Sequence, residues 1–79
     1  MAYRPEVLEQ LALHGIRPTP STPPDLMRDY LSDLYRYEIR RLKRRLLSGE
    51  FPKDEYLSRV VQLRLRYPLL SVPLHLWMR

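Results

Sequence analysis

The chain has no cysteine and no asparagine, only two glycines, and no long uninterrupted apolar run. Without cysteine there are no disulfides and no thiolate metal sites, the staples that hold many small secreted domains together. A membrane-spanning helix needs roughly 20 consecutive apolar residues, and the most apolar segment, LLSVPLHLWMR, is broken by Ser71, Pro73 and His75. The opening MAYRPEVLEQ lacks the basic and apolar blocks of a signal peptide, so the expected location is cytoplasmic. Neither glycine belongs to a phosphate-binding loop, and Ser21, Ser32, Ser48, Ser58 and Ser71 lie in no nucleophile motif. His14 and His75 stand near opposite ends with no second ligand at metal spacing. The expectation is a protein with no catalytic group, no cofactor, no metal and no small-molecule substrate.

What is present is charge and proline. Fourteen Lys and Arg face nine Asp and Glu in 79 residues, a net charge of +5. Residues 1 to 22 balance, whereas residues 23 to 48 carry seven bases against four acids and residues 49 to 79 carry five against three. The bases are nearly all arginine, and the eight prolines gather in the connections. Such a mix fits selection for heat resistance or a GC-rich genome, and the reading leans to a thermophile. A chain this short makes one small domain whose core supplies only ~3 to 5 kcal/mol, so a protein partner or a homo-oligomer is expected.

The stretch that organises the chain runs from Thr22 to Gly49 and reads as one helix over about 23–48. Thr22 can cap it, with Pro23 at its first position and Asp25 returning a hydrogen bond. Gly49 can close it in the left-handed conformation, and Phe51-Pro52 prevents its continuation. At ~100° per residue, Met27, Tyr30, Leu31, Leu34, Tyr35, Leu42 and Leu46 share a stripe opposite Asp29, Asp33, Arg36, Arg40, Lys43 and Arg44. Acids precede bases along its axis, as the helix dipole favours. Glu38 alone interrupts the apolar stripe.

Residues 5–14, PEVLEQLALH, give a short helix with Val7, Leu8, Leu11 and Ala12 on its sticky side and Gly15 as its stop. Residues 16–24, IRPTPSTPP, should form a stiff extended spacer. Residues 52–66 give a second amphipathic helix, with Leu57, Val60, Val61 and Leu65 inward and Tyr56 and Leu63 at the flank. Its short connection to the long helix makes the two an antiparallel hairpin. Tyr67-Pro68 ends it, and an apolar tail follows in which Leu74, Leu76 and Trp77 can complete the core or anchor in a partner.

The fold class is therefore all-α, with residues 1–22 as N-terminal helix and arm and residues 23–79 as hairpin and tail. The N-terminal helix is expected to stay off the hairpin without a partner, because its spacer is stiff and its apolar area small. Leu76 and Trp77 are expected to be buried, in this chain or against another. If the turn is centred between Glu50 and Phe51, Glu38 falls opposite Arg64, and a buried carboxylate needs a cation. A Glu38–Arg64 ion pair is therefore expected.

The sharpest surface feature is the basic face of Arg36, Arg40, Lys43 and Arg44, with Arg41 and Arg45 nearby and Tyr37 among them for stacking. Within it, Leu34-Tyr35-Arg36, followed by Ile39-Arg40 and Lys43-Arg44, resembles the opening helix of the LYR-motif proteins. These are small basic three-helix accessory subunits and assembly factors of mitochondrial respiratory and iron–sulfur systems. Val61-Gln62-Leu63-Arg64 before Tyr67 is similar to their later basic segment, which ends on Phe. The likeness covers less than half the chain, and the motif here is mid-chain rather than near the start. The functional expectation is a non-enzymatic interaction module, an accessory subunit or adaptor, and the alternative is non-specific nucleic-acid binding through the basic face.

Overall fold

The computed structural model describes residues 2–79. Three helices carry it, α1 (Pro5–Leu13), α2 (Pro24–Leu47) and α3 (Tyr56–Leu65), with 3-10 turns at Lys53–Glu55, Pro68–Ser71 and Leu74–Leu76. The fold is all-α, as the periodicity indicates. Gly15 and Gly49 have φ of 74° and 80° just past α1 and α2, so each supplies the left-handed residue that stops its helix. Proline opens both helices, where its missing N–H costs nothing.

The start of α2 departs from the expected cap. Pro23 is the cap residue, with no side-chain bond to the helix. Thr22 is taken by the preceding turn instead: its Oγ1 accepts the Thr19 N–H at 2.9 Å and its carbonyl accepts the Tyr3 hydroxyl at 2.7 Å.

α3 returns along α2. Near the turn, Arg45 and Arg59 both stand over the Phe51 ring, whereas Glu38, earlier on α2, meets Tyr67 and Arg66 beyond the end of α3. The inward face of α3 is not the expected one. Leu63 is buried and Tyr56 and Val60 pack on the core, while Leu57, Val61 and Leu65 are 76%, 52% and 74% exposed. Both sets have helical spacing, and the choice is made at Tyr67, which continues the row of Tyr56, Val60 and Leu63 and is itself buried. Residues 53–55 form a 3-10 turn before α3 begins, which moves the centre of the hairpin towards α3. Glu38 accordingly reaches positions 66 and 67 rather than 64, and the expected Glu38–Arg64 pair is replaced; Arg64 is exposed on the outer side.

The N-terminal helix docks, contrary to expectation. Val7 and Leu11 are buried in the same cluster as Leu31, Leu63 and Trp77. The tail supplies the seat that the hairpin alone lacks. Residues Tyr3 and Met78 form an antiparallel bridge, Arg4 N–H donates to the Trp77 carbonyl and Arg79 N–H to that of Ala2, both at 2.9 Å. Tyr3 and Ile16, just outside α1, are buried with it, so the helix and its flanks together bury far more apolar area than α1 could alone.

Candidate functional site

Trp77 is fully buried and its indole N–H donates to the Val72 carbonyl at 3.2 Å. Leu74 is half-buried against the core, and Leu76 remains 43% exposed. The tail therefore folds into its own chain, and Trp77 is an internal anchor rather than a free hook for a partner. Leu76 alone of the expected trio is substantially open.

The basic face is where the sequence puts it. Arg36, Arg40, Lys43 and Arg44 are all exposed on α2. Arg36 is drawn to Asp33 at 3.4 Å, one turn back, an exposed pair that contributes ~0 to 1 kcal/mol. Arg40, Lys43 and Arg44 have no ion-pair partner among the described residues. Tyr37, on the same outer side, is 54% exposed.

Sequence reasoning missed Tyr67, where all three helices meet. Its ring stacks on His14, at the end of α1, with centroids 4.2 Å apart, and meets the Tyr35 ring of α2 edge-on at 5.2 Å. Its hydroxyl donates to the Glu38 carboxylate, which also has Arg66 at 3.9 Å. His14 donates through Nε2 to the Arg66 carbonyl at 2.6 Å. The half-buried carboxylate thus finds a phenol first and a cation second. Burial raises the Tyr67 pKa above its usual value near 10, the Glu38 bond and charge raise it further, and Arg66 opposes them. The only signal for this in the sequence is the position of Tyr67, eleven residues after Tyr56 on the row of Val60 and Leu63.

Sequence reasoning also missed the outer row of α3. Leu57, Val61 and Leu65 stand four residues apart, on one side of the helix and open to solvent. Isolated exposed leucines are ordinary, whereas these three make a continuous apolar strip along one helix. No group of His, Cys, Asp and Glu among the described residues could hold a metal ion. Among the same residues no helix is long and apolar enough to cross a membrane.

No family model matches this chain, and no curated protein or solved structure matches it significantly. The likeness of Leu34-Tyr35-Arg36 to the LYR-motif proteins rests on those residues alone.

Proposed function

We propose that this protein is a non-enzymatic interaction module that docks a partner protein on the outer face of α3. The observation that carries this reading is the exposed row of Leu57, Val61 and Leu65. The row is apolar enough to anchor an amphipathic helix, which is read through positions spaced three and four apart. Acidic Asp54 and Glu55 lie at its N-terminal end and Arg64 and Arg66 at its C-terminal end, so the flanking charge gives a partner helix a preferred direction. The tail is removed from this role, since Trp77 is already satisfied within the chain.

Affinity capture of the tagged full chain, compared with a Leu57→Ser, Val61→Ser, Leu65→Ser variant, tests the proposal. A partner that survives nuclease treatment and high salt with the wild type, and is lost from the variant, is the expected result. Identical captures would overturn it.

A second reading is non-specific nucleic-acid binding through α2. The unpaired Arg40, Lys43 and Arg44 beside exposed Tyr37 favour it. A phosphate-tracking face loses affinity steeply as salt rises, whereas the apolar row of α3 is nearly indifferent to it. A salt titration with a single-stranded oligonucleotide therefore separates the two.

A further inference from the structure

Between α2 and α3 lies a cleft of about 320 Å³, into which α2 brings Arg41 and Arg45 and α3 brings Arg59, Gln62 and, just past its end, Arg66, with Glu38 at one end. Four guanidinium groups thus share one small space with one carboxylate, which is engaged by the Tyr67 hydroxyl and lies 3.9 Å from Arg66. Like charges spaced four apart on a helix, or facing across a helix pair, are unfavourable by themselves. The apolar packing of the hairpin is carried by Leu42, Leu63 and Phe51.

Three of the guanidinium groups have a single long carboxylate contact each, and Arg41 has none among the described residues. The Arg59 guanidinium lies 4.2 Å over the Phe51 ring and that of Arg45 lies 5.8 Å from it, an attraction that fixes both at the turn end of the cleft. Glu55 reaches Arg59 at 3.4 Å and Glu50 reaches Arg45 at 3.6 Å, long single contacts from partly exposed side chains. Arg41 has no ion pair among the described residues, and the buried Nε of Arg59 has no acceptor.

From this arrangement we infer that the cleft between α2 and α3 is a binding site for a diphosphate group, free or as the head of a small ester. Planar guanidinium forks match the oxygens of phosphate two at a time. The lining brings four guanidinium groups to one carboxylate. Glu50 and Glu55 reach Arg45 and Arg59 only through long, partly exposed contacts, so a multiply charged anion can compete with them for the forks. The volume is at the small end of ligand sites, which suits two linked phosphates and leaves any ester substituent outside the mouth. Arg41 and Arg45 offer one pair of forks from α2, and Arg59 and Arg66 offer another from α3. Gln62 adds an amide donor between the last two. The site is separate from the outer face of α2 and from the apolar row of α3, and it stands whether or not either binds a macromolecule.

Calorimetric titration of the full chain with inorganic pyrophosphate, and in parallel with a nucleoside diphosphate, tests this. The expected result is saturable one-to-one binding of pyrophosphate. Losing one charge-assisted contact in Arg41→Gln weakens it at least about tenfold. Arg41 is exposed and unpaired, so this variant keeps its fold, and its circular dichroism and thermal midpoint serve as the check. Glu55→Gln, which frees Arg59 from a competing carboxylate, tightens binding, and an Arg40→Gln, Arg44→Gln variant on the outer face leaves it unchanged. A nucleoside diphosphate that binds as pyrophosphate does shows that only the diphosphate is read; tighter binding shows that the ester substituent adds contacts. Absence of saturable pyrophosphate binding by the folded wild type overturns the inference. So does an equal loss in the Arg40→Gln, Arg44→Gln variant, which would mark diffuse attraction to a basic protein.

Discussion

A single phenol decides how Glu38 is accommodated. Tyr67→Phe keeps the ring between His14 and Tyr35 but removes the donor to a half-buried carboxylate, and a loss of ~1 to 3 kcal/mol is expected in chemical denaturation. Arg64→Met, the substitution that an ion pair at that position would make costly, should stay within ~0.5 kcal/mol. The same residue sets an alkaline limit. The Tyr67 pKa is raised in the folded protein by burial first and by Glu38 second, and that of Tyr3 is raised by burial and then by Asp25. A raised folded pKa means the folded state holds its proton more tightly. The associated stability is thus complete below the unfolded value near 10 and is lost as pH rises through the folded one. Thermal midpoints measured upward from pH 9 should fall above about pH 10, and fall less steeply in Tyr67→Phe, where only the Tyr3 contribution remains. Glu38 was legible in the sequence as a residue that needed a partner. The partner was not, because Tyr67-Pro68 reads as a helix stop and the Tyr67 side chain is visible only once the chain beyond α3 is placed.

The helices themselves were largely legible, since glycine, proline and the 3.6-residue period are local signals. Rotation of a helix about its axis is not local. α3 is apolar on two sides, and neither the row of Leu57, Val61 and Leu65 nor that of Tyr56, Val60 and Leu63 is disqualified by polarity. The choice is made by neighbours distant in sequence, and it settled two expectations at once, the inward face of α3 and the partner of Glu38. Leu63→Ala should therefore cost ~2 to 5 kcal/mol, whereas Leu57→Ala, at a solvent-facing site, should change stability by less than ~0.5 kcal/mol. Reversed magnitudes in urea denaturation would restore the face that periodicity alone suggests. The basic face of α2 was readable for the opposite reason: with Leu31, Leu42 and Tyr35 fixing one side of the helix inward, its charges have only one place to go.

Taken whole, the molecule is long for its mass. It measures 47 × 17 × 16 Å with a radius of gyration of 14.8 Å, where a compact chain of this length would have about 11.6 Å. Its accessible surface is 5892 Å², against about 5,100 Å² for a typical monomer of its mass. The excess is about the area that one partner buries in a standard protein interface. Elongation comes from α2, whose 24 residues extend ~36 Å and outrun the elements packed on them. Where α1 and the tail meet, Tyr3, Val7, Leu11, Ile16 and Trp77 are all buried. Trp77→Ala should cost ~3 to 5 kcal/mol and, in hydrogen exchange on the monomer, should strip protection from the amides of Leu8 to Leu13 before those of Leu31 to Leu42. Protection of Leu8 to Leu13 that outlasts that of Leu31 to Leu42 would show that α1 does not depend on the tail. The docking of α1 was the least legible feature, because it relies on Tyr3, Ile16 and Trp77 acting together and no single segment announces it.

The bridge between Tyr3 and Met78 joins residues about as far apart as the chain allows, while α2 and α3 meet across a short turn. Closing a short loop sacrifices less freedom than closing a long one, so the clock of folding should run in one order: hairpin first, then the closure of α1 onto the tail. A lesion at Trp77 then shortens the lifetime of the native state and leaves the refolding rate nearly untouched, whereas a lesion at Leu63 slows refolding itself. Stopped-flow refolding and unfolding of Trp77→Phe and Leu63→Ala would reveal this division; slower refolding in the Trp77 variant would place the closure of α1 and the tail at the start instead.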